Sequence, residues 1–141
     1  MCIQPPAWAD KYIGIPFKAK GRDPKQGLDC WALVCLVLKE RFGRELPGFA
    51  GIGFAKDQDN REVANFMASA KDDLPLTQIP PGEEMPGDII WLRALGLPIH
   101  VGIVIAPGLM LHTESEVDSC IERYDGPAWR RRIVGFYRCR S

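Results

Sequence analysis

The segment GLDCWALVCLVLKERFG, residues 27–43, decides the fold. Asp29 is a strong N-cap residue and Gly43 can adopt the left-handed conformation that ends a helix, so the segment predicts a helix starting at Cys30. Its apolar residues surround the helix instead of forming one stripe. Because such a helix is packed by neighbours over its whole circumference, we expect it to be central.

Outward from this helix, the chain divides into a helical first half and a strand-rich second half. A helical turn is predicted at Trp8–Tyr12, and a helix is predicted over residues 60–71 with an apolar stripe of Val63, Phe66, Met67 and Ala70. The predicted strands are residues 88–92, 99–105, 109–113, 120–124 and 133–138. The predicted loops are residues 14–28, 44–59 and 75–86. Helices followed by strands predict one α+β domain over residues 1–141, with a mostly antiparallel sheet.

Composition excludes several classes of protein. The 141 residues include 18 Lys+Arg and 18 Asp+Glu, so the net charge is zero. Because nucleic-acid binding depends on a basic surface, we expect no nucleic-acid partner. No apolar run reaches the length of a membrane span, so none is expected. The first ten residues lack the basic and apolar regions of a secretory signal, which predicts synthesis in the cytoplasm without a signal peptide.

Five cysteines, an odd number without a C-x-x-C pair, argue against a disulfide framework or a zinc knuckle. Cys30 differs from the other four because it lies at the start of the predicted helix. The helix dipole and unpaired N–H groups there favour a thiolate, so we expect its pKa to lie below the value of about 8.5 for free cysteine. The same N–H groups can receive an oxyanion. Asp29 either assists that region or serves only as the cap.

The chain has only two histidines, His100 and His112, and they flank one predicted turn centred on Ala106. A hairpin about that point places them opposite each other, within a residue of register. Opposed side chains of an antiparallel pair have Cβ atoms about 5 Å apart, close enough for a hydrogen bond between the rings. A slip of one residue would instead send them to opposite faces, leaving two unrelated histidines.

A cysteine at a helix start and two histidines on neighbouring strands form the pattern of a thiol peptidase. Cys30 is the candidate nucleophile, His100 the general base and then acid, and His112 the group that orients His100. The same three side chains are alternatively three zinc ligands with an open position. Because a thiolate at a helix start needs no metal to explain it, we expect neither a metal nor another cofactor.

Several motifs resemble the NlpC-type (NlpC/p-sixty) cell-wall peptidases, and more narrowly the branch carried by phage tails and gene transfer agents. The motifs are YIGIPFKAKGRD, GLDCWALV, PGDIIWL, HVGIVI, LMLHT and the closing GFYR, and they cover the chain from about Trp8 to Arg138. The resemblance implies a papain-like fold and a cysteine endopeptidase acting on peptidoglycan stem peptides, commonly between D-γ-glutamate and diaminopimelate. It maps the catalytic positions onto Cys30, His100 and His112, and it gives Tyr12 a role in holding the substrate or the oxyanion.

The same resemblance implies partners and a place of action. Other tail or tail-like particle proteins are the expected partners, and the particle would carry the enzyme to the periplasmic cell wall. One departure is Ala32, where the family usually has glycine, so a methyl group near the site is expected to restrict substrate access. The alternative is a catalytically silent structural or binding component of a tail tip.

Charged residues outside the triad have two interpretations. Arg22 and Asp23 precede the nucleophile and either bind a stem-peptide carboxylate or form a solvated turn. The run Arg130–Arg132 lies in a basic C-terminal region that would attract the carboxylates of diaminopimelate and D-glutamate. A contact surface for tail proteins, or simply a solvated face, explains that run equally well.

Overall fold

The computed structural model describes residues 4–47 and 60–140. It contains two helices, α1 (Cys30–Phe42) and α2 (Asn60–Asp73), and short 3-10 helices at Ala7–Tyr12 and Arg130–Arg132. The strands are β1 (Arg22–Asp23), β2 (Gly27–Leu28), β3 (Leu76–Ile79), β4 (Ile89–Ala94), β5 (Leu97–Ala106), β6 (Leu109–Glu114), β7 (Val117–Arg123) and β8 (Ile133–Cys139).

Helix α1 begins and ends at the predicted residues. The side chain of Asp29 accepts a hydrogen bond from the backbone N–H of Ala32 at 2.9 Å, and Gly43 ends the helix in the left-handed conformation with φ of 65°. The helix packs on β5 and β6. Its buried residues cover most of its circumference, as expected for a central helix: Cys30, Trp31, Ala32, Leu33, Val34, Val37 and Leu38.

The main sheet is antiparallel throughout, with strand order β3-β8-β4-β5-β6-β7, and β1 and β2 form a separate hairpin. One face packs on α1 through residues such as Val101 and Ile103. The other face carries a second apolar group that includes Val104, Met110 and Trp129. A helix packed on a mostly antiparallel sheet is the predicted α+β architecture.

Two predicted loops contain strands. Residues 75–86 include β3, which pairs with β8 at the edge of the sheet, and residues 14–28 include the β1–β2 hairpin. β3 lies between prolines at positions 75 and 80, and its four residues are too few to show the apolar–polar alternation of a strand. The strand conformation of this segment therefore comes from pairing with the edge of the sheet and not from a pattern in its own sequence.

The second predicted helix is present and extends to Asp73. Met67 of the predicted stripe is buried, and so is Ala64, which the predicted stripe did not include. The side chains of the other stripe residues lie outside the described part: Val63, Phe66 and Ala70. Residues 48–59 of the predicted loop also lie outside it. Within the described ranges, no helix is long and apolar enough to cross a membrane.

Candidate active site

The two histidines form a directly bonded pair. The Nε2 atom of His100 on β5 lies 2.8 Å from the Nδ1 atom of His112 on β6. Both side chains are buried, with 4% and 1% of their surface exposed. The structure thus brings together two of the three residues selected as catalytic.

The register of this hairpin differs by two residues from the predicted one. The pairing of β5 with β6 places His112 opposite Gly102, so that it is a diagonal neighbour of His100. The predicted direct opposition is therefore wrong, because an irregularity after Val104 shifts the turn. A shift of two residues keeps both histidines on one face, since side chains alternate with a period of two.

Gly102 makes room for this diagonal approach. A Cβ atom at position 102 would lie 3.2 Å from the Cβ of His112 and 3.3 Å from the Cγ2 of Ile90. Both distances are below the optimal separation of about 3.5–4.0 Å between carbon atoms. A side chain at this position would therefore push His112 away from His100.

A carboxylate completes the row of bonded side chains. The Oε1 atom of Glu122 on β7 lies 2.9 Å from Nε2 of His112, and its Oε2 atom accepts a hydrogen bond from the indole N–H of Trp129 at 3.0 Å. Burial raises the pKa of Glu122, but the hydrogen bonds from Trp129 and His112 outweigh it and hold the pKa below its usual value. We call His100, His112 and Glu122 the imidazole relay.

Sequence reasoning missed Glu122 and Trp129. The signal for Glu122 was the alternation of β7: the cross-strand partner of His112 is Cys120, and Glu122 follows on the same face. No local pattern marks Trp129, which reaches both imidazole rings from the segment before β8.

The carboxylate sets the tautomers of both imidazoles. An ionised Glu122 can only accept, so Nε2 of His112 carries the proton and Nδ1 is an acceptor. His100 must then donate from its Nε2, which leaves its Nδ1 without a proton. An imidazole nitrogen with a lone pair is what a general base requires.

Cys30 approaches β5 from the side of α1, whereas the relay contacts Trp129 on the other face of the sheet. Its side chain is 2% exposed. The backbone N–H groups of Val101, Trp31 and Cys30 itself lie close enough to the sulfur to lower the pKa of the thiol. Because Val101 follows His100 directly, the thiol lies near the backbone of β5 next to His100, on the face of the sheet opposite the relay. Among the described residues, no hydrogen bond joins the thiol to the His100 ring itself.

The expected low pKa of the Cys30 thiol is wrong for this structure. Burial raises its pKa far above that of a free cysteine, the charge of Asp29 raises it further, and the backbone N–H groups only partly oppose this. Burial also lowers the pKa of His100 well below its usual value, with smaller contributions from His112 and Arg132. The helix start favours a thiolate, but exclusion of water outweighs it. Thiol and imidazole are therefore both neutral at rest.

Asp29 acts as a cap and an ion-pair partner. It is fully buried, with Oδ1 accepting from the N–H of Ala32 and Oδ2 lying 2.8 Å from Nη1 of Arg22. Both oxygens are engaged in holding the helix start, which is the simpler of its two predicted roles. Arg22 is thus held by Asp29, and Asp23 accepts from the N–H of Lys25 in an exposed turn.

The structure does not bring the hydroxyl of Tyr12 to Cys30. Tyr12 is 2% exposed, and its hydroxyl donates to Oε1 of Glu40 at 2.8 Å. Glu40 lies ten residues beyond Cys30, or about 15 Å along the helix axis. This hydroxyl ties the N-terminal segment to the far end of α1, which argues against the expected role in substrate or oxyanion binding.

The basic run has one member near the relay. Arg130–Arg132 forms a 3-10 helix of exposed residues, and the guanidinium of Arg132 lies 4.8 Å from the ring centroid of Trp129. Since Trp129 in turn contacts the imidazoles, Arg132 places a positive charge beside the relay.

The alternative zinc site of Cys30, His100 and His112 does not form. In the described part of the chain, the group whose ligand atoms lie within 4.8 Å of one another is His112, Cys120 and Glu122. His100 uses its Nε2 to bond His112 instead.

The model of the NlpC/P60 family matches residues 14–138, which is most of the chain. The chain belongs to the NlpC/P60 family. The matched range includes the start of α1, the relay and Trp129.

Individual known proteins resemble the chain at low identity. The gamma-DL-glutamyl hydrolase of Bacillus subtilis (strain 168) is 24% identical, with 92% of this chain and 27% of the relative covered. The murein DD-endopeptidase MepH of Escherichia coli (strain K12) is 26% identical, covering 87% of this chain and 40% of the relative. The crystal structure of the NlpC/p60 domain of peptidoglycan hydrolase SagA superposes with a TM-score of 0.60 at 20% identity, covering 95% of this chain and 94% of that domain.

These comparisons confirm the family and its papain-like fold. The chain spans less than half the length of the two curated relatives described above. Ala32, the departure from the family pattern, is 5% exposed in the first turn of α1.

Proposed function

We propose that this chain is a cysteine endopeptidase that hydrolyses amide bonds of peptidoglycan stem peptides. The observation that carries the proposal is the bonded row of His100, His112 and Glu122 beside a helix-start cysteine. The row leaves Nδ1 of His100 unprotonated, and the thiol of Cys30 contacts the next residue of the same strand. Membership of the NlpC/P60 family supports the reaction class.

The chemistry begins from neutral groups. As the sulfur of Cys30 attacks the amide carbonyl, its proton passes to Nδ1 of His100, and backbone N–H groups at the start of α1 receive the oxyanion. His100 then donates this proton to the leaving amine. Water, with His100 as base, hydrolyses the thioester and releases the second product.

His112 and Glu122 act on the imidazole, not on the substrate. When His100 is protonated, its Nε2–H donates to Nδ1 of His112, and the carboxylate of Glu122 stabilises the positive charge through His112. This support matters because His100 is 4% exposed and cannot rely on water to solvate a charge.

The proposed bond is the one between D-γ-glutamate and diaminopimelate. The relative named gamma-DL-glutamyl hydrolase supports a γ-glutamyl linkage, whereas the relative named murein DD-endopeptidase points to a different bond. Arg132, beside Trp129, offers a positive charge to the carboxylates of such a stem peptide.

We place the enzyme in a phage-tail-like particle or gene transfer agent, with other tail proteins as partners. The motifs quoted above support this branch of the family. The chain would be assembled into the particle and delivered to the periplasmic cell wall, where it helps the particle penetrate.

The decisive experiment is mass spectrometry of muropeptides digested by the wild-type protein, by Cys30→Ala and by Cys35→Ala. Cys35 is a matched control because it is a second thiol of α1, five residues further on. The wild type and Cys35→Ala should release identical products, and Cys30→Ala should release none. The masses of the products identify the bond. Cleavage by a folded Cys30→Ala variant would overturn the proposal.

The second candidate is a catalytically silent component of a tail tip. The burial of Cys30 and the lack of a direct bond to the His100 ring favour it. It predicts that wild-type protein cleaves no muropeptide and that particles carrying Cys30→Ala transfer DNA as efficiently as wild-type particles.

A further inference from the structure

A second group of side chains surrounds His112 on the side away from His100. Cys120 is the cross-strand partner of His112, and Glu122 follows on the same face of β7. The Nε2 atom of His112, the Sγ atom of Cys120 and a carboxylate oxygen of Glu122 all lie within 4.8 Å of one another. One nitrogen, one sulfur and one oxygen are the ligand atoms typical of zinc sites.

We propose that His112, Cys120 and Glu122 bind a zinc ion, and that the bound ion switches the peptidase off. The metal site stands on its own geometry, whereas the inhibition rests on the proposed function.

The spacing of the ligand atoms suits a tetrahedral ion. Sγ of Cys120 lies 3.9 Å from Nε2 of His112 and 3.8 Å from Oε1 of Glu122, and the latter two atoms are 2.9 Å apart. Metal–ligand distances of about 2.0–2.3 Å at tetrahedral angles require separations of about 3.4–3.6 Å. To bind the ion, the two pairs that include sulfur therefore need to approach by roughly 0.2–0.5 Å, and the nitrogen and oxygen need to separate by roughly 0.5–0.7 Å.

Hydrogen bonds hold two of the ligand side chains in place, and the site is accessible to solvent. Trp129 holds the second oxygen of Glu122 at 3.0 Å, which fixes the orientation of the carboxylate. His112 is held by His100 through its other ring nitrogen. Such bonds to the ligands orient them for a metal. The Glu122 side chain is 38% exposed and Cys120 is half-buried, so an ion can enter from solvent.

Binding the ion rearranges the protons. The thiol proton of Cys120 and the Nε2 proton of His112 must leave the ligand atoms, because a metal ligand needs a lone pair. The thiol proton goes to water. The Nε2 proton of His112 also goes to water, the proton on Nε2 of His100 moves across the hydrogen bond to Nδ1 of His112, and Nδ1 of His100 takes one proton from water, so that one proton is released for each ion bound. His112, coordinated through Nε2, then donates a hydrogen bond from its Nδ1–H to Nε2 of His100.

This rearrangement of protons changes the tautomer of the general base, His100. Once Nε2 of His100 accepts a hydrogen bond, the proton of the neutral ring lies on Nδ1. That nitrogen can no longer take the proton of Cys30. One ion thus reverses both tautomers of the imidazole relay and removes the base without contacting the nucleophile.

Zinc binding is tested first in the Cys30→Ala background, which removes the catalytic thiol as a competing ligand. Zinc chloride is titrated into chelator-treated protein against a chromophoric zinc chelator. We expect one ion per chain, at least tenfold weaker binding in Cys30→Ala/Cys120→Ala, and unchanged binding in Cys30→Ala/Cys35→Ala. Cobalt(II) should give a thiolate-to-metal absorption band that depends on Cys120. Equal zinc affinity with and without Cys120 would overturn the site.

Inhibition is tested separately on muropeptides, with each variant's rate in EDTA as its own reference. Zinc should inhibit the wild type and Cys35→Ala reversibly, and the half-inhibiting concentration should rise at least tenfold in Cys120→Ala. Zinc that binds at Cys120 without inhibiting would overturn the tautomer switch and leave the peptidase proposal intact. If wild-type protein cleaves nothing in EDTA, the proposed function fails, while the titration still decides the metal site.

Discussion

The indole ring of Trp129 stacks on the imidazole ring of His100, with the ring centroids 5.5 Å apart and the planes inclined by 25°. The same indole meets His112 edge-on at 5.2 Å and donates its N–H to Glu122. One buried side chain therefore contacts every member of the imidazole relay.

Trp129→Phe tests the indole N–H alone, because a phenyl ring can keep the stack. Losing one hydrogen bond to Glu122 should lower kcat/KM about fivefold, equivalent to about 1 kcal/mol. KM should change little, since Trp129 is 3% exposed and its ring is not accessible to a substrate. Trp129→Ala should cost about 3–5 kcal/mol of unfolding free energy in urea titrations. A Phe variant with unchanged kcat/KM would show that the indole N–H does not support the relay.

Glu122→Gln tests the control of the tautomers. A glutamine amide can donate to Nε2 of His112, which reverses the proton positions along the relay, so kcat/KM should fall about 100-fold or more. The fold should persist, because the Glu122 side chain is 38% exposed.

Glu84→Gln is the matched control for that substitution. Glu84 also accepts a hydrogen bond at 2.8 Å, from the hydroxyl of Tyr124, away from the relay. The loss of this carboxylate should change kcat/KM by no more than about twofold, which corresponds to less than the free energy of one average hydrogen bond. Equal rates for the two variants would exclude a special role for Glu122.

The pH dependence of kcat/KM should reflect the lowered pKa of His100. Because burial keeps this imidazole neutral, it remains a base at pH values where an ordinary histidine, of pKa about 6.5, is protonated. The acid limb of the profile should therefore fall below pH of about 6.5. Titration of the His100 ring by NMR in Cys30→Ala gives an independent value, and a limb at or above the ordinary value would contradict the buried, neutral base.

Arg22→Met tests the ion pair that anchors the start of α1. Asp29 is fully buried and would keep its bond to Ala32 but lose the guanidinium, so we expect a loss of about 2–3 kcal/mol in urea unfolding. The control is Arg123→Met, which breaks a pair with Asp125 of similar length between half-exposed side chains. That change should cost less than about 1 kcal/mol.

Features with a strong local signal were predicted from sequence. The cap at Asp29 and the left-handed Gly43 mark α1 because both act within one turn. The prediction that His100 and His112 lie on one face of the sheet is correct although the predicted register is off by two residues, because side chains alternate along a strand with a period of two.

Features that depend on tertiary contacts were not predicted. The position of Cys30 at a helix start is visible in the sequence, but its burial against Val101 is not, so the sign of its pKa shift was wrong. Trp129 and the hydroxyl contact of Tyr12 likewise join residues distant along the chain. Such contacts leave no periodic pattern to recognise.

The relay is carried by β5, β6 and β7, three consecutive strands joined by short turns. Pairing of such neighbours closes only small loops, so it can form early in folding. Cys30 comes close to Val101 only when α1 docks on β5, and these two elements are far apart in the sequence. A partly folded molecule would then hold the base in place before the nucleophile reaches it, and the proposed peptidase activity would report the completion of folding.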